Sequence, residues 1–183
     1  MVIEADVGME KLKATMEAIN LLVIRKARPR IMVMFISTDG KENVTEASVA
    51  RYFLSKDFKV VDPELIRKEL QKETPEGSSP TLESILKAGA RNGAEILISG
   101  ALEDSSSSFS VNGIEMQFNR VIASAKAIRI DTGEVIASDN DLRSGPGMDD
   151  MIKRMSDEAG QAVAKKLMSQ ILDRWSTEIT NSM

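Results

Sequence analysis

Two apolar stretches constrain this chain more than any other feature: the unbroken run Ile31, Met32, Val33, Met34, Phe35 and Ile36, and residues 94–102, read as a second buried strand around Ile96, Leu97 and Ile98. A strand with one wet face alternates apolar and polar residues, whereas a strand apolar at every position must be covered on both faces. The two runs therefore predict central strands in a sheet with helices on both sides. Helical spacing supplies those covers. Leu12, Met16, Ile19 and Val23 form one stripe ending before Pro29; Ala47, Ala50 and Phe53 follow Asn43, read as an N-cap with Glu46 as its capping-box partner. After a short strand at Phe58, Lys59, Val60 and Val61, Asp62 and Pro63 open a helix carrying Leu65, Ile66 and Leu70. Ser79 and Pro80 open another with Leu82, Ile85, Leu86 and Gly89, closed by Asn92 and Gly93 through a left-handed cap.

The second half changes character. Residues 103–108, with four consecutive serines, read as a polar loop. Ile114, Met116 and Phe118 then alternate with Glu115, Gln117 and Asn119, the pattern of a half-exposed strand. Residues 121–130 make a further strand, Asp131, Thr132 and Gly133 a tight turn, and residues 135–138 an antiparallel return. Residues 144–147 break the chain before a closing helix at about 148–175. Its apolar face holds Met151, Met155, Ala159, Ala162, Leu167, Ile171 and Trp175. The predicted order is helix, strand, helix, strand, helix, helix, strand, then three antiparallel strands and a helix. The fold class is α/β (α+β): a mixed sheet flanked by helices, an antiparallel meander in the second half and a long C-terminal helix. Its expected division is 1–28 as a strand and helix ending a preceding domain, 30–176 as the α/β domain and 177–183 as a tail.

Composition narrows the chemistry. The chain has 183 residues, no cysteine and no histidine, so thiolate nucleophiles, disulfides and imidazole bases or ligands are ruled out. A net charge of −4 gives no basis for nucleic-acid binding, which needs clustered cations. The basic group Arg25, Lys26, Arg28 and Arg30 reads as a helix end. No run of about 18 apolar residues predicts a membrane span, and no basic, apolar leader opens the sequence.

The remaining candidates have ordinary explanations. Asp131, Thr132 and Gly133 spell one aspartic-protease triplet, but such an enzyme needs two. Asp139, Asn140 and Asp141 offer oxygen ligands, yet Ser144 and Asp150 stand where a calcium loop requires Gly and Glu. Gly145, Pro146 and Gly147 could cradle an anion at a helix start, or simply break the chain. A small ligand or nucleotide could use the loop after Ile36. Phe109, Ile114, Met116 and Phe118 are the candidate partner-binding residues. The three on the alternating strand either face the core, the commoner outcome, or present an apolar strand surface to a partner. No catalytic, cofactor or metal residue is assigned, and the expectation is a protein that is not an enzyme.

Residues 30–175 resemble the bacterial envelope proteins grouped around the periplasmic domain of CsgG, the synthase activator LpoB, the N-terminal domain of TolB and the middle domain of FlgT. The resemblance is carried by RIMVMFIS, by FKVVD running into PELIRKEL, by LKAGARNGAEILISGALED, and by IRIDTGEVIASDNDLRSGPG before a long helix. It implies a periplasmic or outer-membrane-associated assembly module that binds an envelope protein or associates with itself. No lipid-anchor cysteine is present, and no long amphipathic segment marks a pore-forming strand.

Overall fold

The computed structural model describes residues 15, 28–36, 44–75, 78–148 and 150–181. The predicted first helix, the turn after Ile36 and the Asn43 cap lie outside them. Two compact units divide the chain: Pro29–Arg174, and Met1–Arg28 together with Trp175–Met183. The features that follow belong to Pro29–Arg174.

Five strands form one sheet in the order β2-β1-β3-β4-β5. They are β1 (Ile31–Ile36), β2 (Val60–Val61), β3 (Ile96–Val111), β4 (Ile114–Arg129) and β5 (Val135–Pro146), with helices α1 (Val44–Ser55), α2 (Pro63–Glu73), α3 (Leu82–Arg91) and α4 (Met151–Asn181). The first three strands are parallel and the last three antiparallel. The mixed sheet and long last helix match the expectation.

Both apolar runs are covered on two sides. Met32 and Leu97 join Ile66 and Leu70 of α2, Ala88 of α3, and Ile128 and Ile130 in one cluster. Strand alternation turns Val33, Ile98, Ala125 and Ala127 to the opposite face, where α1 and α4 lie, and all four are buried. α1 meets α4 through small and polar residues, Thr45 and Ser48 against Ser156, Asp157 and Gly160. Thr45 and Ser48 donate from their hydroxyls to the Ser156 and Asp157 carbonyls, at 3.3 and 2.9 Å. A Cβ on Gly160 would stand 3.0 Å from the Thr45 carbonyl. Ala47, expected inside, is exposed, because hydroxyls satisfied by a neighbouring backbone allow a closer approach than the apolar pattern indicates.

Several boundaries differ from the sequence reading. Thr81, not Ser79, caps α3, accepting from the Ser84 amide at 3.2 Å. Glu46 directs its carboxylate to the Phe35 amide, 2.7 Å away, and to Arg67. On α4, Val163 and Ala164 are buried where Ala162 was expected to be.

The largest correction concerns residues 103–108, which are not a loop. They continue β3, and residues 114–129 are one strand rather than two. Serine is a poor strand former, but cross-strand pairing overrides propensity. Each residue of 103–108 has a partner on β4, and Ser106 donates to Asn119 at 2.8 Å. β5 likewise runs on to Pro146, so the break before α4 starts at Gly147 and not at Ser144.

Candidate interaction surface

β1 ends opposite Ala101, while β3 continues for ten more residues to Val111. At about 3.4 Å per residue this carries the β3–β4 pair roughly 30 Å beyond the last residue of β1. The tip is closed by Asn112 and Gly113, with φ of 52° and 79°. Two successive left-handed residues make the two-residue turn whose twist suits a hairpin. β5 flanks β4 only as far as Phe118. Residues 107–111 and 114–118 therefore form a two-stranded ribbon.

Register fixes the two faces of this ribbon. Phe109 pairs with Met116, Val111 with Ile114, Ser107 with Phe118, and Phe118 in turn with Pro146. Ser107, Phe109, Ile114, Met116, Phe118 and Pro146 share the face that carries Leu97 and Ile128 further down, the side covered by α2 and α3. The opposite face holds Ser106, Ser108, Ser110, Glu115, Gln117 and Asn119. The ribbon is thus amphipathic, and its apolar side lies beyond the helices that cover the same face of the body.

Phe109 is 47% exposed, Ile114 67%, Met116 48% and Phe118 40%. Core burial of Ile114, Met116 and Phe118, the commoner outcome, is therefore overturned, and the strand read as half-exposed is exposed on both faces at its tip. The structure brings all four predicted residues together on one surface. Leu142, 49% exposed and paired with Ile122, extends it toward the body. Sequence reading missed Leu142, and the Asn112-Gly113 hairpin signal would have joined Phe109 to Met116.

The other candidate groups are occupied by structural contacts. Asp139 and Asp141 pair with Lys166 at 3.3 and 3.6 Å, and Arg143 binds Asp141 at 2.6 Å. Among the described residues no group of three or more acidic side chains could hold a metal ion. Arg129 binds Asp131 at 2.7 Å and by its hydrogen bond holds the carboxyl below the usual range, with burial opposing. Gly133, with φ of 73°, completes that turn. Gly147 packs against Gln117 and donates its amide to the Gln117 carbonyl at 2.7 Å. A shallow hollow at the starts of α1 and α4 is lined by Val44, Arg51, Asp150, Lys153, Arg154 and Asp157, charges of both signs. The loop after Ile36, the alternative ligand site, lies outside the described residues.

Among the described residues, no helix is long and apolar enough to cross a membrane. No protein-family model matches the sequence, and no curated protein matches it. Solved structures do. A PelC dodecamer from Paraburkholderia phytofirmans is similar with a TM-score of 0.50 and 15% identity, over 76% of this chain and 86% of that one. Lipoprotein GNA1162 from Neisseria meningitidis gives 0.50 and 11%, over 75% and 99%. The LpoB C-terminal domain from Salmonella enterica is also similar, at 0.41 and 15%, over 63% and 82%. The chain has a fold found in a bacterial lipoprotein.

Proposed function

We infer that this chain is a non-catalytic interaction and assembly module of the bacterial cell envelope, docking a protein on the apolar face of its β3–β4 ribbon. One observation carries the reading: Phe109, Ile114, Met116 and Phe118 stand side by side and exposed on a ribbon none of whose described side chains is buried. A two-stranded hairpin is marginal in water by itself, and a contiguous apolar strip on a soluble chain ordinarily marks a contact. The fold supports the setting, since it is shared with a lipoprotein and with a protein that forms a dodecamer. The resemblance to CsgG, LpoB, TolB and FlgT domains points the same way, to a periplasmic or outer-membrane-associated accessory of secretion, wall synthesis or the flagellum.

The test is solution mass by light scattering across a wide concentration range, paired with affinity capture from envelope extract, for the full chain and for Met116→Glu. The reading expects an oligomer or a stoichiometric envelope partner, lost in the variant while the melting temperature is unchanged. A chain that stays monomeric, captures nothing and partitions onto lipid vesicles would sink it.

A further inference from the structure

The molecule treats its sheet edges unequally. β2 is two residues long, so β1 runs past it, and the Phe35 amide on that side would have no strand to bond. A buried carboxylate takes its place: Glu46, 5% exposed, accepts from Phe35 at 2.7 Å and is held by Arg67 at 2.6 Å. Partial burial opposes the Arg67 charge, but hydrogen bonding to Glu46, then to Glu64, raises its pKa above the ordinary arginine value. On the far side of the ribbon Gly147 caps the outward Gln117 carbonyl.

Among the described residues nothing covers the outer edge of β3 in this way. In an antiparallel pair, alternate residues bond the partner strand and those between turn their amides outward. The alternation is fixed at both ends: Ile96 donates outward to the Arg30 carbonyl on the β1 side, and the tight turn makes Val111 and Ile114 a bonded pair. Leu102, Asp104, Ser106, Ser108 and Ser110 therefore present their N–H and C=O groups to the lane that β1 vacates. Among the described residues no strand enters that lane beyond Ala101. Residues 105–110 also lack the lysines, prolines and bulges with which exposed edges are usually guarded.

Resting on the reading of the ribbon as a docking element, we propose that this edge accepts an extended strand from a partner protein, basic at one end and apolar at the other. The lane itself specifies that chemistry. At its base Glu103 and Asp104 point to opposite faces of the sheet, and among the described residues no cation pairs with either. Adjacent Lys or Arg residues on an added strand would meet one carboxylate on each face. Toward the tip, Phe109 offers an apolar neighbour on one face only, while Ser106, Ser108 and Ser110 line the other. Main-chain bonds would supply affinity and these alternating positions specificity.

The experiment uses the full chain and a blocked ten-residue peptide of alternating threonine and isoleucine with two arginines at one end, made in both chain directions. Amide exchange is read residue by residue. The expected result is that Leu102, Asp104, Ser106, Ser108 and Ser110 exchange at least about tenfold more slowly with one of the peptides, while Glu103, Ser105, Ser107 and Phe109, already bonded to β4, do not change. Ser108→Pro removes one outward amide without touching a β4 bond and weakens binding by about tenfold, as does Asp104→Lys. Met116→Glu leaves peptide binding within about twofold, which separates failure of this edge from failure of the apolar face. Protection of the even-numbered amides by neither peptide overturns the proposal. So does their protection in the chain alone as its concentration rises, since a second copy would then fill the lane.

Discussion

Strands β3 and β4 pass through two environments on the same face of the same sheet. At Leu97 and Ile128 they lie under α2 and α3, inside a cluster with Met32, Ile66 and Leu70. About a dozen residues further on, Phe109 and Met116 are also apolar and also paired, but they stand exposed and no helix among the described residues covers them. Apolar pairing across strands is thus the same device with two outcomes. Where a helix closes over it, it stabilises the fold; where none does, the same residues become a surface for something else. Substitutions should therefore separate cleanly, with body variants costing stability and ribbon variants costing association.

The sharpest test of that separation is Phe53→Ala. Phe53 is fully buried and packs edge-to-face on Phe58, with ring centroids 5.3 Å apart, so its truncation should cost about 3–5 kcal/mol in urea unfolding. Glu46→Gln comes next. It keeps an acceptor for the Phe35 amide but removes the buried one of the two carboxylates paired with Arg67, leaving only exposed Glu64; with that guanidinium about one-third exposed, a loss of about 2 kcal/mol is expected. Arg67→Ala should cost a comparable amount, and the double variant less than the sum of the two.

Within the ribbon, Gly113→Ala forces a side chain to φ of +79° and should cost about 1 kcal/mol. Because the ribbon lies outside the core, the effect should appear as faster amide exchange over residues 107–118, with the unfolding midpoint of the body unchanged. A lowered midpoint would show that ribbon and body unfold as one unit and would erase the comparison. Met116→Glu should be smaller still in stability, within about 0.5 kcal/mol, while removing association. The least effect is expected at the β4–β5 turn. Arg129 depresses the Asp131 pKa, so the pair stabilises the fold above the ordinary carboxylate pKa and the contribution is lost as pH falls through the lowered value. Asp131→Asn should therefore flatten the acid limb of a stability–pH curve. At neutral pH it should cost less than about 0.5 kcal/mol, because the exposed pair is screened by solvent.

The sequence by itself determined the parts of this protein governed by local chemistry and by burial on two faces. Continuous apolarity at residues 31–36 and 96–98 required covered central strands, and Asp62 with Pro63, or Asn92 with Gly93, placed helix ends within a residue or two. The same reading singled out Ile114, Met116 and Phe118, because a period of two places alternate side chains on one face, and counted Phe109 as a fourth candidate. It did not show where the helices stop along the sheet, and so could not say whether that face was core or surface. Only the tertiary structure decided this. The register of β3 on β4 carried four serines into a strand, and α2 and α3 proved too short to follow the ribbon. Glu46 shows the same division on a smaller scale. Its spacing from Asn43 suggested a local cap, but a strand of two residues left the Phe35 amide without a partner, and only the folded chain brings that carboxylate to it. Burial and pairing between residues distant in sequence set these outcomes, and no local pattern encodes them.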